Sequence, residues 1–321
     1  MINDFHFSHE FLSCSALNIS VISDAILDSW LNFGCLIAPV DKLKEYKEWI
    51  EYQEPKLIKK WSNAFSYNLI ESMSGAYKNV SELENLEGCF NYICDNNIPT
   101  LIINEDERTN LDVQCGSHLR ERTEVINVNN FNESVHFSNS KNLKNSGILA
   151  QSDIDTVWRE RFYSLANRTK KILIIDRYFF KNLQEDIGCR KTSIEKFIDL
   201  LTLTGKKFSI DIYSVGDIKD GDLYNQIINY INLTLSKRPN YASTVSHFQV
   251  NSCRDELFRE RAHDRFLQFD NFTIQLGLGM AVFRSFPLSS CTFSFHRTET
   301  DPIFNDAYSK MWKNCLWRYS C

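Results

Sequence analysis

Apolar residues in the first part of this chain fall at two alternating spacings. Ile22, Ile26, Trp30 and Phe33 recur at helical intervals, and Gly34 stands where such a helix would end. Cys35-Leu36-Ile37-Ala38 is then a short apolar run before Pro39, as in a strand. Asp41 can cap a helix whose Leu43, Tyr46, Trp49 and Ile50 share a face. Ser81-x-x-Glu84 has the form of a capping box, opening a helix with Leu83, Leu86, Phe90 and Ile93 inward, and Asn96, Asn97 and Pro99 break it. Thr100–Ile103 and Thr123–Asn127 read as strands, while residues 1–20 carry little signal. Strands interleaved with helices predict a small α/β domain over residues 1–140.

Residues 127–147 hold seven asparagines with serines and lysines among them, little periodicity, and the composition of a linker. Beyond it the pattern resumes over residues 148–321, the expected second domain. A helix is predicted over Asp153–Asn167, apolar at Ile154, Val157, Phe162 and Leu165. Residues 171–179 form a nearly continuous apolar run, as in a strand buried on both faces. Thr192-x-x-Glu195 opens a capped helix with the stripe Ile194, Phe197, Ile198, Leu201, and Gly205 ends it. An alternating strand over 207–213, a helix near 223–233, and strands at 248–250 and 290–295 follow, before an aromatic tail with Trp312 and Trp317 suited to core or dimer contacts.

The stretch that organises this half is Arg261-Ala262-His263-Asp264-Arg265-Phe266-Leu267-Gln268-Phe269-Asp270. As a strand it puts His263, Arg265, Leu267 and Phe269 on one face. Asp270-Asn271 makes a turn, and Phe272–Leu276 alternates again, so the stretch predicts a hairpin.

Composition narrows the reading. The net charge is −5 and 43% of residues are hydrophobic, so the chain has cores to build and no global basic field for nucleic acid or anionic lipid. Contact with either would need a local patch. The ten cysteines are scattered with no Cys-x-x-Cys, which argues against a zinc site and a disulfide framework. No apolar run approaches a membrane span and the amino terminus has no signal-peptide pattern, so the expectation is a cytoplasmic protein. Asp4, Asp24, Asp28, Glu105 and Asp106 are carboxylates that a metal-dependent nuclease could use, but their spacing matches no metal signature and fits solvated acids or caps.

His263-x-Arg265 followed by Asp270 has the spacing of the His-x-Lys-x-x-x-x-Asp signature of the phospholipase D superfamily, with arginine for lysine. Together with Gly277-Leu278-Gly279-Met280 and Arg297-Thr298-Glu299-Thr300, it resembles the phospholipase-D-like C-terminal domain of MIT-domain proteins. The resemblance covers about residues 172–304. It implies a mixed sheet with helices on both faces, preceded here by the smaller α/β domain. The strand ending Asp176-Arg177-Tyr178 is similar to the family's Asp-Pro-Tyr, with Arg177 as a departure. The resemblance implies catalysis by His263, Arg265 and Asp270, phosphate contacts from Asp176, Arg297, Gly277 and Gly279, and neither metal nor cofactor.

The chemistry of such a signature is direct. A neutral imidazole can attack phosphorus and form a phosphohistidine, while an adjacent cation holds the phosphate oxygens. Arginine supplies a planar fork where lysine supplies a point charge. Superfamily enzymes bring two signatures together and this chain has one, so catalysis implies a homodimer. Leu278 and Ala281 stand where the family carries arginine and aspartate, and Arg284 or Arg297 could supply the missing cation. Three functions are open: a metal-independent phosphodiesterase or nuclease; a non-catalytic module holding a phospholipid or nucleic-acid phosphate; and a scaffold whose N-terminal domain docks a partner protein. By analogy with similarly built bacterial chains, the setting would be anti-phage defence.

Overall fold

The computed structural model describes the chain apart from residues 74, 76, 262–264 and 285–286 and the side chains of residues 260 and 261. His263 therefore lies outside the described residues. The fold is α/β, with two mixed sheets flanked by helices. The chain divides into two compact units, Ile2–Asn142 and Leu143–Cys321, the latter grouped with Met1.

The first unit is a six-stranded sheet in the order β3-β2-β1-β4-β6-β5. Its strands are β1 (Asn3–Phe7), β2 (Gly34–Ala38), β3 (Leu69–Ser72), β4 (Thr100–Ile103), β5 (Ser117–Arg120) and β6 (Thr123–Asn127). All neighbours are parallel except β5, which returns antiparallel along β6. The predicted strands β2, β4 and β6 are present and fully buried, as parallel strands covered on both faces must be. No periodicity marked β1, yet it is an interior strand. Its five residues are nearly all buried, so there is no alternation to read. Phe5 meets Trp30 edge-on at 5.8 Å, and Phe7 stacks on Phe11 at 3.7 Å.

Two N-terminal expectations need correction. Ser81-x-x-Glu84 does not open a helix, because Glu84 adopts φ +60°, outside the helical region. The capping box is Asn79 with Glu82 on a short 3₁₀ turn, and Asn85 caps the following helix Leu86–Asp95 by accepting from Gly88 N at 3.0 Å. The asparagine-rich segment holds the boundary between the two units, at 142/143, but most of it is not an unstructured linker. It forms a 3₁₀ helix, Val128–Glu133, and an α-helix, Val135–Leu143, that bury Phe131 and Phe137. Glu124, fully buried on β6, accepts from Ser134 Oγ at 2.8 Å and Val135 N at 2.7 Å, which ties the segment to the sheet.

The second unit is a seven-stranded sheet in the order β12-β11-β10-β7-β8-β9-β13. Its strands are β7 (Lys171–Ile175), β8 (Phe208–Val215), β9 (Val245–Cys253), β10 (Arg265–Phe269), β11 (Phe272–Leu276), β12 (Phe293–Arg297) and β13 (Cys315–Ser320). β7, β8 and β9 run parallel, with helices Ser193–Thr202 and Asp222–Leu233 in the crossovers. β10 returns antiparallel along β7, and its hairpin partner β11 carries β12. The capping box at Thr192 and Glu195 forms as its spacing predicts.

Two helices cover one face of this sheet. Phe258 comes from helix Asp255–Arg261, and Phe304, Ala307 and Met311 come from helix Pro302–Lys313. They enclose Leu173, Ile175, Tyr213 and Phe266. Elsewhere Phe162 lies against Phe269, Phe283 and Phe293. Phe162 ends a π-helical turn, Trp158–Phe162, that also turns Arg161 inward. Arg161 stacks on Phe293 at 4.6 Å and donates to Ser146 O at 2.7 Å and to the carbonyls of Leu143 and Gly147 at 3.2 Å. It thereby anchors the first residues of the unit. No helix among the described residues is long and apolar enough to cross a membrane.

Candidate functional site

The family-like residues converge in part, at the carboxyl end of β7. Asp176 follows that strand, fully buried. Its Oδ1 accepts from Tyr178 N at 2.9 Å and its Oδ2 from Met280 N at 2.8 Å. Burial pushes the carboxyl pKa up, and these two amides and Arg265 offset part of that. Arg265 opens β10 beside it, with Nε 3.7 Å from Asp176 Oδ1 and one Nη donating to Gly277 O. Its guanidinium lies 5.1 Å from the centre of the Tyr178 ring, a cation–π distance.

Both glycines have a steric reason to be glycine. Gly279 has φ +55°, and a Cβ there would lie 2.5 Å from Arg265 Cδ and collide with the Asp176 carboxylate. The same left-handed turn directs Met280 N at Asp176. At Gly277 a Cβ would come 2.5 Å from Thr292 Oγ1. The departure at Arg177 is also explained. Its Nε and Nη2 clamp Asp255 at 2.8 and 2.9 Å, fastening the end of β7 to helix Asp255–Arg261, and its guanidinium lies 5.3 Å from the Tyr178 ring.

Other residues assigned to the site sit elsewhere. Asp270 occupies the β10–β11 turn with φ +43° and accepts from Lys170 N at 2.9 Å and Lys171 N at 3.3 Å. It therefore lies beside the start of β7, a strand's length of roughly 17 Å from Arg265. Arg297 pairs with Phe272 in the β11–β12 register, also at that far end, and lies 3.6 Å from Glu299 Oε1. Arg284, offered as a replacement cation, is instead clamped by Asp186 at 2.7 Å, Glu185 at 2.6 Å and Asn182 at 3.1 Å. The cluster is thus Asp176, Tyr178, Arg265, Gly277 and Gly279.

The sequence did not reveal Asp255 or the strut it forms with Arg177. The helix carrying Asp255 occupies residues to which the sequence pattern assigned no element, and its apolar residues, Leu257 and Phe258, are adjacent and set up no repeat. Chemically, the cluster presents a guanidinium oriented by a carbonyl, a carboxylate and an aromatic face, with 23% of its side chain exposed. Such a group can offer N–H edges to an oxyanion without reorganising.

No protein-family model matches the chain, and no curated protein matches it in sequence.

Proposed function

We propose that the second unit is a phospholipase-D-like phosphodiesterase, acting as a homodimeric, metal-independent nuclease in the cytoplasm of a bacterial anti-phage system. The observation that carries this reading is the gathering of Asp176, Tyr178, Arg265, Gly277 and Gly279 at one strand end, where Arg265 is held with an edge toward solvent. His263 precedes Arg265 by two residues in the chain. In the reaction, a neutral His263 attacks phosphorus and the bond to the leaving oxygen breaks. That oxygen takes a proton from the protonated His263 of the second protomer, which, now neutral, takes a proton from the water that hydrolyses the phosphohistidine. Arg265 holds the non-bridging oxygens throughout.

A second reading, phosphate binding without cleavage, draws support from Leu278 and Ala281, apolar where the resembled family carries arginine and aspartate, which leaves the cluster without that charged pair. Its ligand would be a nucleic-acid or phospholipid phosphate. Single- and double-stranded DNA, RNA and a generic phosphodiester, assayed with EDTA present, separate the two. The nuclease reading expects cleavage that His263→Ala abolishes while phosphate affinity largely survives. No cleavage by wild type, with Arg265→Ala doing more harm to binding than His263→Ala, would establish the second reading. Activity that needs Mg²⁺ and survives His263→Ala would refute both. Light scattering of the full chain should give twice the monomer mass, and a strict monomer would remove the paired-histidine mechanism.

A further inference from the structure

The first unit has a separate cleft whose position and chemistry suit a different ligand. From β1 the chain builds β2 and β3 to one side and β4 and β6 to the other, so the strand order reverses between β1 and β4. In open parallel sheets such a reversal leaves a crevice at the carboxyl ends of the two strands, the usual place for a ligand. A cleft of about 490 Å³ lies there, lined by His9 and Glu10 after β1, Asn104 and Asp106 after β4, and Ser81 and Glu84 from the segment between β3 and β4.

The lining sets the sign of the ligand. Lys42 Nζ and Tyr77 Oη each reach His9 Nδ1 at 3.1 Å. An ammonium can only donate, so His9 Nδ1 accepts and its proton sits on Nε2, 3.7 Å from Glu10 Oε1. Lys42 is itself held by Glu45 at 2.6 Å. Glu107 is used internally. It accepts from Ser8 Oγ, from Asn104 N at 3.0 Å and from Glu10 N at 3.3 Å, and burial pushes its pKa up. Glu10 already faces His9 Nε2 at 3.7 Å and accepts from Ser13 Oγ at 3.4 Å, so Glu84 and Asp106 are the carboxylates left facing the cleft, with neither lysine nor arginine among its lining residues. The turn after β1 reads Ser8-His9-Glu10-Phe11, without the glycines that let a backbone cradle phosphate.

We propose that this cleft binds a small organic cation carrying protonated amines. Glu84 and Asp106 receive the ammonium groups, and Glu10, oriented by His9 Nε2–H, adds negative charge behind them. The site is independent of the phosphate chemistry assigned to the second unit.

The test is calorimetric titration of the full chain with spermidine, with agmatine and, as the anionic comparison, with AMP. An amine should bind and AMP should not. Asp106→Asn and Glu84→Gln, both at solvent-facing positions, should each weaken amine binding roughly three- to fivefold, and the pair roughly tenfold or more. Arg265→Ala should leave it unchanged. Failure of both amines to bind, binding of AMP at the cleft, or an amine affinity indifferent to both carboxylate substitutions would overturn the proposal. The last result would mean diffuse attraction to a chain of net charge −5.

Discussion

Two glycines with similar backbone conformation allow the packing at Asp176 to be measured. Gly188 has φ +77°, and a methyl placed on it would meet nothing within 4 Å. Gly279 has φ +55°, and a methyl there would lie 2.5 Å from Arg265 Cδ and 2.8 Å from Asp176 Cγ. Alanine at either site carries the left-handed penalty of roughly 1–2 kcal/mol, reduced by roughly 0.4–1 kcal/mol because the unfolded chain also loses freedom. Gly188→Ala should therefore cost about 1 kcal/mol or less. At Gly279 the methyl must also displace a buried carboxylate, an overpacking cost of about 1–3 kcal/mol. Moving Met280 N off Asp176 adds about 1–3 kcal/mol for a buried acceptor left short of a donor. Gly279→Ala should then cost roughly 2–7 kcal/mol in all, a large share of a domain's stability. Hydrogen exchange of β7 and β10 amides, read by mass spectrometry on the full chain, reports each loss within the second unit. Equal costs for the two substitutions would refute the claim that Gly279 exists to seat Asp176 and Arg265.

Other consequences follow from single contacts. Burial lowers the His6 pKa from 6.5 to about 4, with Nδ1–H donating to Ile37 O at 2.7 Å. The unfolded chain then takes its proton first on acidification, so stability of the first unit should fall by up to about 1.4 kcal/mol per pH unit between pH 6.5 and 4. Glu107, raised by burial, opposes this at the lower end. His6→Asn should flatten the slope of urea stability against pH, and an unchanged slope would contradict the assignment. Arg161→Met should free residues 143–147 and raise the rate of tryptic cleavage after Lys144 by roughly tenfold; cleavage within 128–142 instead would mean that the asparagine-rich helices open first. Phe266→Ala, in the core beneath helices Asp255–Arg261 and Pro302–Lys313, should cost about 3–5 kcal/mol by urea titration, and a loss below about 1 kcal/mol would show that helix cover to be loose.

Elements that depend on neighbours a few residues apart were legible in the sequence. The helical stripe ending at Phe33, the capping box at Thr192 and Glu195, the apolar run of β7 and the hairpin of β10 and β11 each repeat a local period or close a local hydrogen bond. Their positions in the chain were enough to read them. Tertiary structure decided the rest. β1 lies between β2 and β4 because two flanking strands bury it, and five nearly all-buried residues carry no period. The asparagine-rich segment is helical because Phe131 and Phe137 find the core and buried Glu124 accepts the amides of the turn between its helices. At the candidate site, Arg265 and Asp270 are near in sequence and stand at opposite ends of β10. Asp176, Arg265 and Gly279 are far apart in sequence and in contact. An extended strand separates residues by about 3.4 Å at each step, while sheet pairing brings distant segments to hydrogen-bonding range, so contact at a site follows from register more than from spacing.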